Sequence, residues 1–176
     1  SNGSVEMVDE KSVTIIAYEG LSKLGFNEVT AKEMEKEMFT ILLQKTDGIN
    51  DKQAQRDALK ANTKAAEMIG KALAKTSVSI EDYGFDYVTL DEAHTAKKVF
   101  SNVAGQSEEN TGNSGKLTRP SQAYKISSGT QAAVAIKAFV LCQYIQNKYK
   151  GNTQLLTATP FTNSPLEVYS MLAMIG

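Results

Sequence analysis

Three short, strand-like runs separated by helix-period sequence constrain this chain more than any other feature. Ser12-Val13-Thr14-Ile15-Ile16-Ala17-Tyr18 is β-branched and apolar and closes on Glu19-Gly20. Phe85-Asp86-Tyr87-Val88-Thr89-Leu90 reads as a second buried strand and the run from Asn152 to Leu156 as a third. Apolar runs of this length bounded by turn signals read as buried strands, and strands alternating with helices imply an α/β sheet, mainly parallel. Ligands of such sheets bind beyond the carboxyl ends of the strands, so chemistry is to be sought in the residues that follow each run.

The intervening sequence has helical spacing. Thr30 and Glu33 form a capping-box pattern, and Met34, Met38, Ile41 and Leu42 follow at helical intervals toward Lys45. After Asp47-Gly48-Ile49-Asn50-Asp51, a second stretch from Lys52 to about Lys75 carries a stripe of Ala58, Ala61, Ala65, Met68, Ile69, Ala72 and Leu73. Together they predict an antiparallel helical hairpin over about 28–76. Ile80 to Gly84 reads as a turn. From about 101 to 129 the chain is rich in Ser, Gly and Asn, which predicts a long loop with a functional role or high mobility. Thr130 to Lys148 reads as a helix with Gly151 at or just past its end, and Pro165 opens a last helix through Met174. Ser1-Asn2-Gly3 resembles an expression-tag scar, leaving 4–176 as a single domain.

Composition excludes several classes. With 41% apolar and 22% charged residues, 176 residues suffice for one sizeable core. A net charge of -1 gives no global basic field, so any nucleic-acid contact is local. One cysteine, Cys142, and one histidine, His94, rule out a disulfide framework and leave too few ligands for a protein-only zinc site. No apolar run reaches membrane-spanning length, and the expectation is a reducing cytoplasm.

Two polar constellations follow strands. In Asp91-Glu92-Ala93-His94, Asp91 is placed to hold a hydrated magnesium ion bridging nucleotide phosphates, Glu92 to orient and deprotonate an attacking water, and His94 to contact a neighbouring loop. Thr157-Ala158-Thr159 offers two hydroxyls about a small residue, suited to sensing the γ-phosphate. Taken singly, each is also an ordinary strand exit or turn. Occurring in this order with a helix between them, they favour a nucleotide-hydrolysis role. Lys97 and Lys98 read as solvated charges or DNA contacts, and Lys116, Arg119 and Lys125 as candidate contacts to the DNA backbone.

These residues resemble those of superfamily 2 helicases and translocases. Asp91-Glu92-Ala93-His94 looks like motif II and Thr157-Ala158-Thr159 like motif III, and the run through Lys97 matches the DEAHxxK form of the Swi/Snf-type branch, with Lys98 where that branch usually has Asn. A narrower likeness spans nearly the whole chain. The large helicase proteins of bacteriophages and conjugative elements, often fused to a DNA adenine methylase, similarly have a helical hairpin before motif II. They also have a Ser-Asn-Val-Ala-Gly segment (here Ser101 to Gly105), a Gly-Thr-Gln helix start (here Gly129-Thr130-Gln131) and a motif III region like Leu156 to Glu167.

The resemblance implies the C-terminal part of a first RecA-like domain that uses ATP and Mg2+ and acts on DNA, with Asp91 on magnesium, Glu92 as base, and His94, Thr157, Ala158 and Thr159 coupling hydrolysis to DNA. The sequence has no G-x-x-x-x-G-K-[ST] loop and no methylase motif, so the 176-residue chain is expected to lack appreciable ATPase activity and to need the remaining helicase segments of its polypeptide. The strand of that loop lies, in RecA-like proteins, between those of motifs II and III. Here the two strands would have to close on each other, or a helix or a second chain would have to cover the edges, which makes self-association an expectation. The alternatives are a non-catalytic module binding DNA or protein and, ranked lower, a metal-dependent nuclease or other hydrolase.

Overall fold

The structure is a computed structural model, describing residues 8–43, 52–74, 78–100, 102–106, 123–127, 132–161 and 164–176. In chain order these form α1 (Tyr18–Leu21), β1 (Leu24–Gly25), α2 (Glu28–Leu42), α3 (Lys52–Leu73), β2 (Val78–Ser79) and α4 (Ile80–Tyr83). There follow β3 (Val88–Leu90), a 3-10 turn (Ala93–Ala96), β4 (Asn102–Gln106), β5 (Ala123–Ser127), α5 (Ala133–Tyr149), β6 (Thr153–Leu155) and α6 (Pro165–Ile175). The fold is mixed α/β with short two-stranded sheets: β1 with β2 and β3 with β6, both parallel, and β4 with β5, antiparallel. Ser1-Asn2-Gly3, Lys116 and Arg119 lie outside the described residues. No described helix is long and apolar enough to cross a membrane.

Helix α5 organises the core. Every residue from Ala135 to Cys142 is buried, together with Tyr144 and Ile145, so apolar sequence runs all round this helix rather than along one stripe, as a central helix requires. Helices α2 and α3 pack against each other and on one part of it through Met34, Met38, Leu42, Ile69, Ala72 and Leu73. Elsewhere α5 meets α1, α6 and the 3-10 turn. Phe26 meets Tyr144 edge-on at 5.3 Å between ring centres, and Phe100 meets Phe139 at 6.1 Å. The helix ends on Lys150 in the left-handed region (φ 59°), whose amide donates to the Gln146 carbonyl at 2.7 Å, so the cap falls one residue before Gly151.

Several expectations are corrected. Residues 12–17 form no strand: the segment is exposed throughout, with Val13 at 89% and Ile15 at 93% of full exposure. Its β-branched character is real, but among the described residues no neighbouring strand takes up its backbone groups, and those groups must find partners or water. Helix α2 starts on Asn27, whose side chain accepts from the Thr30 amide at 2.9 Å, and the capping box at Thr30 and Glu33 does not form. A true capping box does occur at Ser79 and Asp82, opening the single turn of α4, which Gly84 ends at φ 73°. Ile41 is exposed, off the buried face of α2. The loop expected over 101–129 contains the ribbon β4–β5, in register from Asn102 opposite Ser127 to Gln106 opposite Ala123.

Candidate functional site

The site begins with the register of one parallel pair. Val88, Thr89 and Leu90 of β3 lie opposite Thr153, Gln154 and Leu155 of β6, so the strands that precede the two polar constellations are hydrogen-bonded neighbours. The ladder continues past them: the Leu156 amide donates to the Leu90 carbonyl and the Ala93 amide to the Leu156 carbonyl, each at 2.9 Å. Asp91-Glu92-Ala93-His94 and Thr157-Ala158-Thr159 therefore leave the sheet together at the same carboxyl edge.

Local backbone geometry then aims the acids outward. Glu92 sits in the left-handed region at φ 49° and ψ 47°, immediately before the 3-10 turn. A non-glycine residue held there costs about 1–3 kcal/mol, a strain that tends to cluster at functional sites. Ala93 and Ala96 are fully buried under this turn, where any larger side chain would displace the core, while Asp91 and Glu92 remain exposed. Asp91 accepts from the Glu92 amide through Oδ1 at 3.0 Å, and the Tyr18 hydroxyl donates to the Asp91 carbonyl at 2.7 Å. Tyr18 thus anchors the acidic turn from α1.

His94 joins the two constellations. Its Nδ1 is 3.0 Å from Glu92 Oε2 and 3.4 Å from Thr157 Oγ1. With the proton on Nδ1, the ring donates to the carboxylate and more weakly to the hydroxyl. Thr157 Oγ1 also accepts from the Thr159 amide at 3.2 Å, closing a local turn about exposed Ala158. Asp91, Glu92, His94, Thr157 and Thr159 thus lie at one edge of the sheet, and Asp91 offers an exposed carboxylate. Among the described residues no three His, Cys, Asp or Glu side chains are grouped to hold a metal. A magnesium ion that arrives with phosphates and keeps several waters needs only one or two carboxylates, so the donor set fits that mode of binding.

The basic residues divide. Lys97 is not a solvated charge: it is 9% exposed, and its Nζ lies 3.2 Å from Oε2 of Glu167, which is fully buried in the first turn of α6. Lys98 is exposed, and its carbonyl accepts from the Ala132 amide. Lys125 falls in β5, opposite Ala104.

Glu167 was missed by sequence reasoning because an acid in a first helical turn reads equally well as a complement to the helix dipole. Also missed was Lys137, buried on α5, whose ammonium donates to the Ala72 carbonyl near the end of α3 and whose pKa burial pushes down to about 8. It borders a cleft of about 510 Å³ shared with Tyr18, Glu19, Met68, Lys71 and Val134. The cleft is lined mainly by α1, α3 and α5 and touches the acidic site through Tyr18.

No family model matches the chain, and neither curated proteins nor solved structures give a match. The fold therefore stands on its own geometry, as a mixed α/β chain whose polar residues gather at the carboxyl edge of one parallel strand pair.

Proposed function

We propose that this chain is the hydrolysis half of an ATP-driven DNA helicase or translocase motor, a partial RecA-like domain that works with a phosphate-binding loop and a second RecA-like domain supplied by other segments of the same polypeptide. The observation that carries the reading is that Asp91 and Glu92, leaving β3, and Thr157 and Thr159, leaving β6, open onto the same carboxyl edge with His94 in contact with Glu92 and Thr157; β3 and β6 close on each other here, the arrangement expected where the phosphate-loop strand does not lie between them.

In this reading Asp91 would hold Mg2+ together with nucleotide phosphates. The ion, when bound, offsets phosphate charge and polarises the transferred group. Glu92 takes a proton from the attacking water, and its exposed position leaves room for that water. His94 and the Thr157-Ala158-Thr159 turn relay the state of the nucleotide, because movement of either element alters the contact between them. DNA is the proposed partner, approached by Lys98 and by Lys116, Arg119 and Lys125. Lys97 has a different task.

The decisive experiment uses a polypeptide that includes the phosphate-binding segment. Glu92→Gln should lower DNA-stimulated turnover by about 10²–10⁴-fold, the range for loss of a general base, while nucleotide binding persists. Turnover near the unmodified level would refute the role given to Glu92 and, with it, this reading.

A further inference from the structure

The acidic turn and the threonine turn are joined twice. At one end β3 and β6 pair, and at the other Lys97, which caps the 3-10 turn, reaches Glu167 of α6. One turn further along α6, the Phe100 amide donates to Ser170 Oγ at 3.5 Å, and Ser170 Oγ donates to the Leu166 carbonyl at 2.7 Å. Glu167 and Ser170 lie three residues apart and are both fully buried, so a single face of α6 grips the segment that follows His94. Helix α6, which opens on a cap where Ser164 Oγ accepts from the Leu166 amide at 3.3 Å, also packs against β6, the strand that leads into Thr157.

We infer that Lys97 and Glu167 are positioning residues that hold the Glu92–His94 turn against Thr157. The inference rests on the proposed motor reading for its purpose, but its geometry stands alone. Stability gives little reason for such a pair: the desolvation of two buried charges about cancels their attraction, and apolar replacements of similar volume are often neutral or better. What an ion pair supplies that apolar packing does not is a defined separation and direction. Here it closes a frame around the contact between His94 and Thr157, without either lysine or glutamate touching the reacting groups.

The test uses the 176-residue chain and proton NMR. His94 is the single histidine, so its ring protons are uniquely assignable, and their cross-relaxation with the Thr157 side chain reports the contact directly. Glu167→Gln and the charge-free double variant Lys97→Met/Glu167→Leu should keep cooperative unfolding yet lose this cross-peak, while Lys97→Arg, which preserves the pair, should retain it. A wild-type cross-peak in the folded double variant would overturn the inference. So would unfolding of that double variant, which would make the pair an element of stability instead. Failure of the motor reading shows in the turnover of Glu92→Gln and leaves this cross-peak unaffected, so the two outcomes are separable.

Discussion

His94 and Thr157, 63 residues apart in the chain, are brought to 3.4 Å between Nδ1 and Oγ1, and this contact is the narrowest bridge between the two candidate motifs. The bridge depends on one hydroxyl. Thr157→Val keeps the side chain's shape and removes both that contact and the acceptor for the Thr159 amide. Because Thr157 is only partly buried, the chain should lose about 1 kcal/mol of stability or less, as read by urea unfolding. In a polypeptide that includes the phosphate-binding segment, basal hydrolysis should persist while its stimulation by DNA falls. Undiminished stimulation would remove Thr157 from the coupling role.

Burial lowers the pKa of Lys137 from 10.5 to about 8, which makes folding pH-dependent in a direction opposite to that of a paired lysine. The folded state releases the proton more readily than the unfolded state, so the unfolded chain binds more protons between these values and stability rises with pH across that window. Below about pH 8 the cost is fully present, on the order of 3 kcal/mol for the charged amine. Lys137→Met should therefore stabilise the chain at pH 7 by about 1–2 kcal/mol, less than the whole cost because the bond to the Ala72 carbonyl is lost. It should also flatten the rise in melting temperature between pH 8 and 10. A steeper rise in the variant would contradict the assignment.

Which parts of this architecture were legible follows from what each signal depends on. Helices α2, α3, α5 and α6 and strands β3 and β6 lie where periodicity and turn residues put them, because these patterns are set by which side of an element meets the core. The acidic and threonine residues were legible as following those strands. Their contact was not, since it requires knowing that β3 and β6 are direct neighbours. The run Val13-Thr14-Ile15-Ile16 has strand chemistry, but a strand also needs a neighbour, and pairing is a property of the whole fold. Lys97 failed as a surface charge for a similar reason: its type says little about burial until Glu167 is seen beside it.

Asn27 illustrates how two overlapping caps are resolved. Its carboxamide accepts from the Thr30 amide, while its own amide is shared between both carboxylate oxygens of Glu81 at 3.3 Å, tying the start of α2 to α4. Asn27→Ala should cost about 0.5–2 kcal/mol in thermal or urea unfolding, the range for an N-cap. Thr30→Ala should cost less, since Thr30 lies inside the helix and contributes its backbone amide whatever its side chain. The reverse order of effects would restore the sequence-based cap.

Cys142 is fully buried on α5, and burial pushes its thiol up to about 12. Thiolate is the reactive form, so a thiol reagent at pH 8 should label native protein only at the rate at which the chain opens. Labelling should become complete once denaturant unfolds the chain, and fast labelling under native conditions would show that α5 is not the enclosed centre of the core.

Glu92 combines an exposed carboxylate with a left-handed backbone, and the two make opposite demands. Glycine adopts that conformation without the side-chain penalty, so Glu92→Gly should relieve strain that L residues pay at φ 49°. The contact with His94 is largely exposed and its loss should cost less than about 1 kcal/mol. The net expectation is a chain as stable as the original or more so, by up to about 1 kcal/mol, measured by thermal unfolding. If Glu92 acts as the base, the same substitution abolishes hydrolysis in a polypeptide that carries the phosphate-binding segment. Stability held or gained together with activity lost would identify the strain as serving chemistry; a destabilised Glu92→Gly chain would mean instead that contacts of the glutamate side chain, not the turn geometry, hold this segment in place.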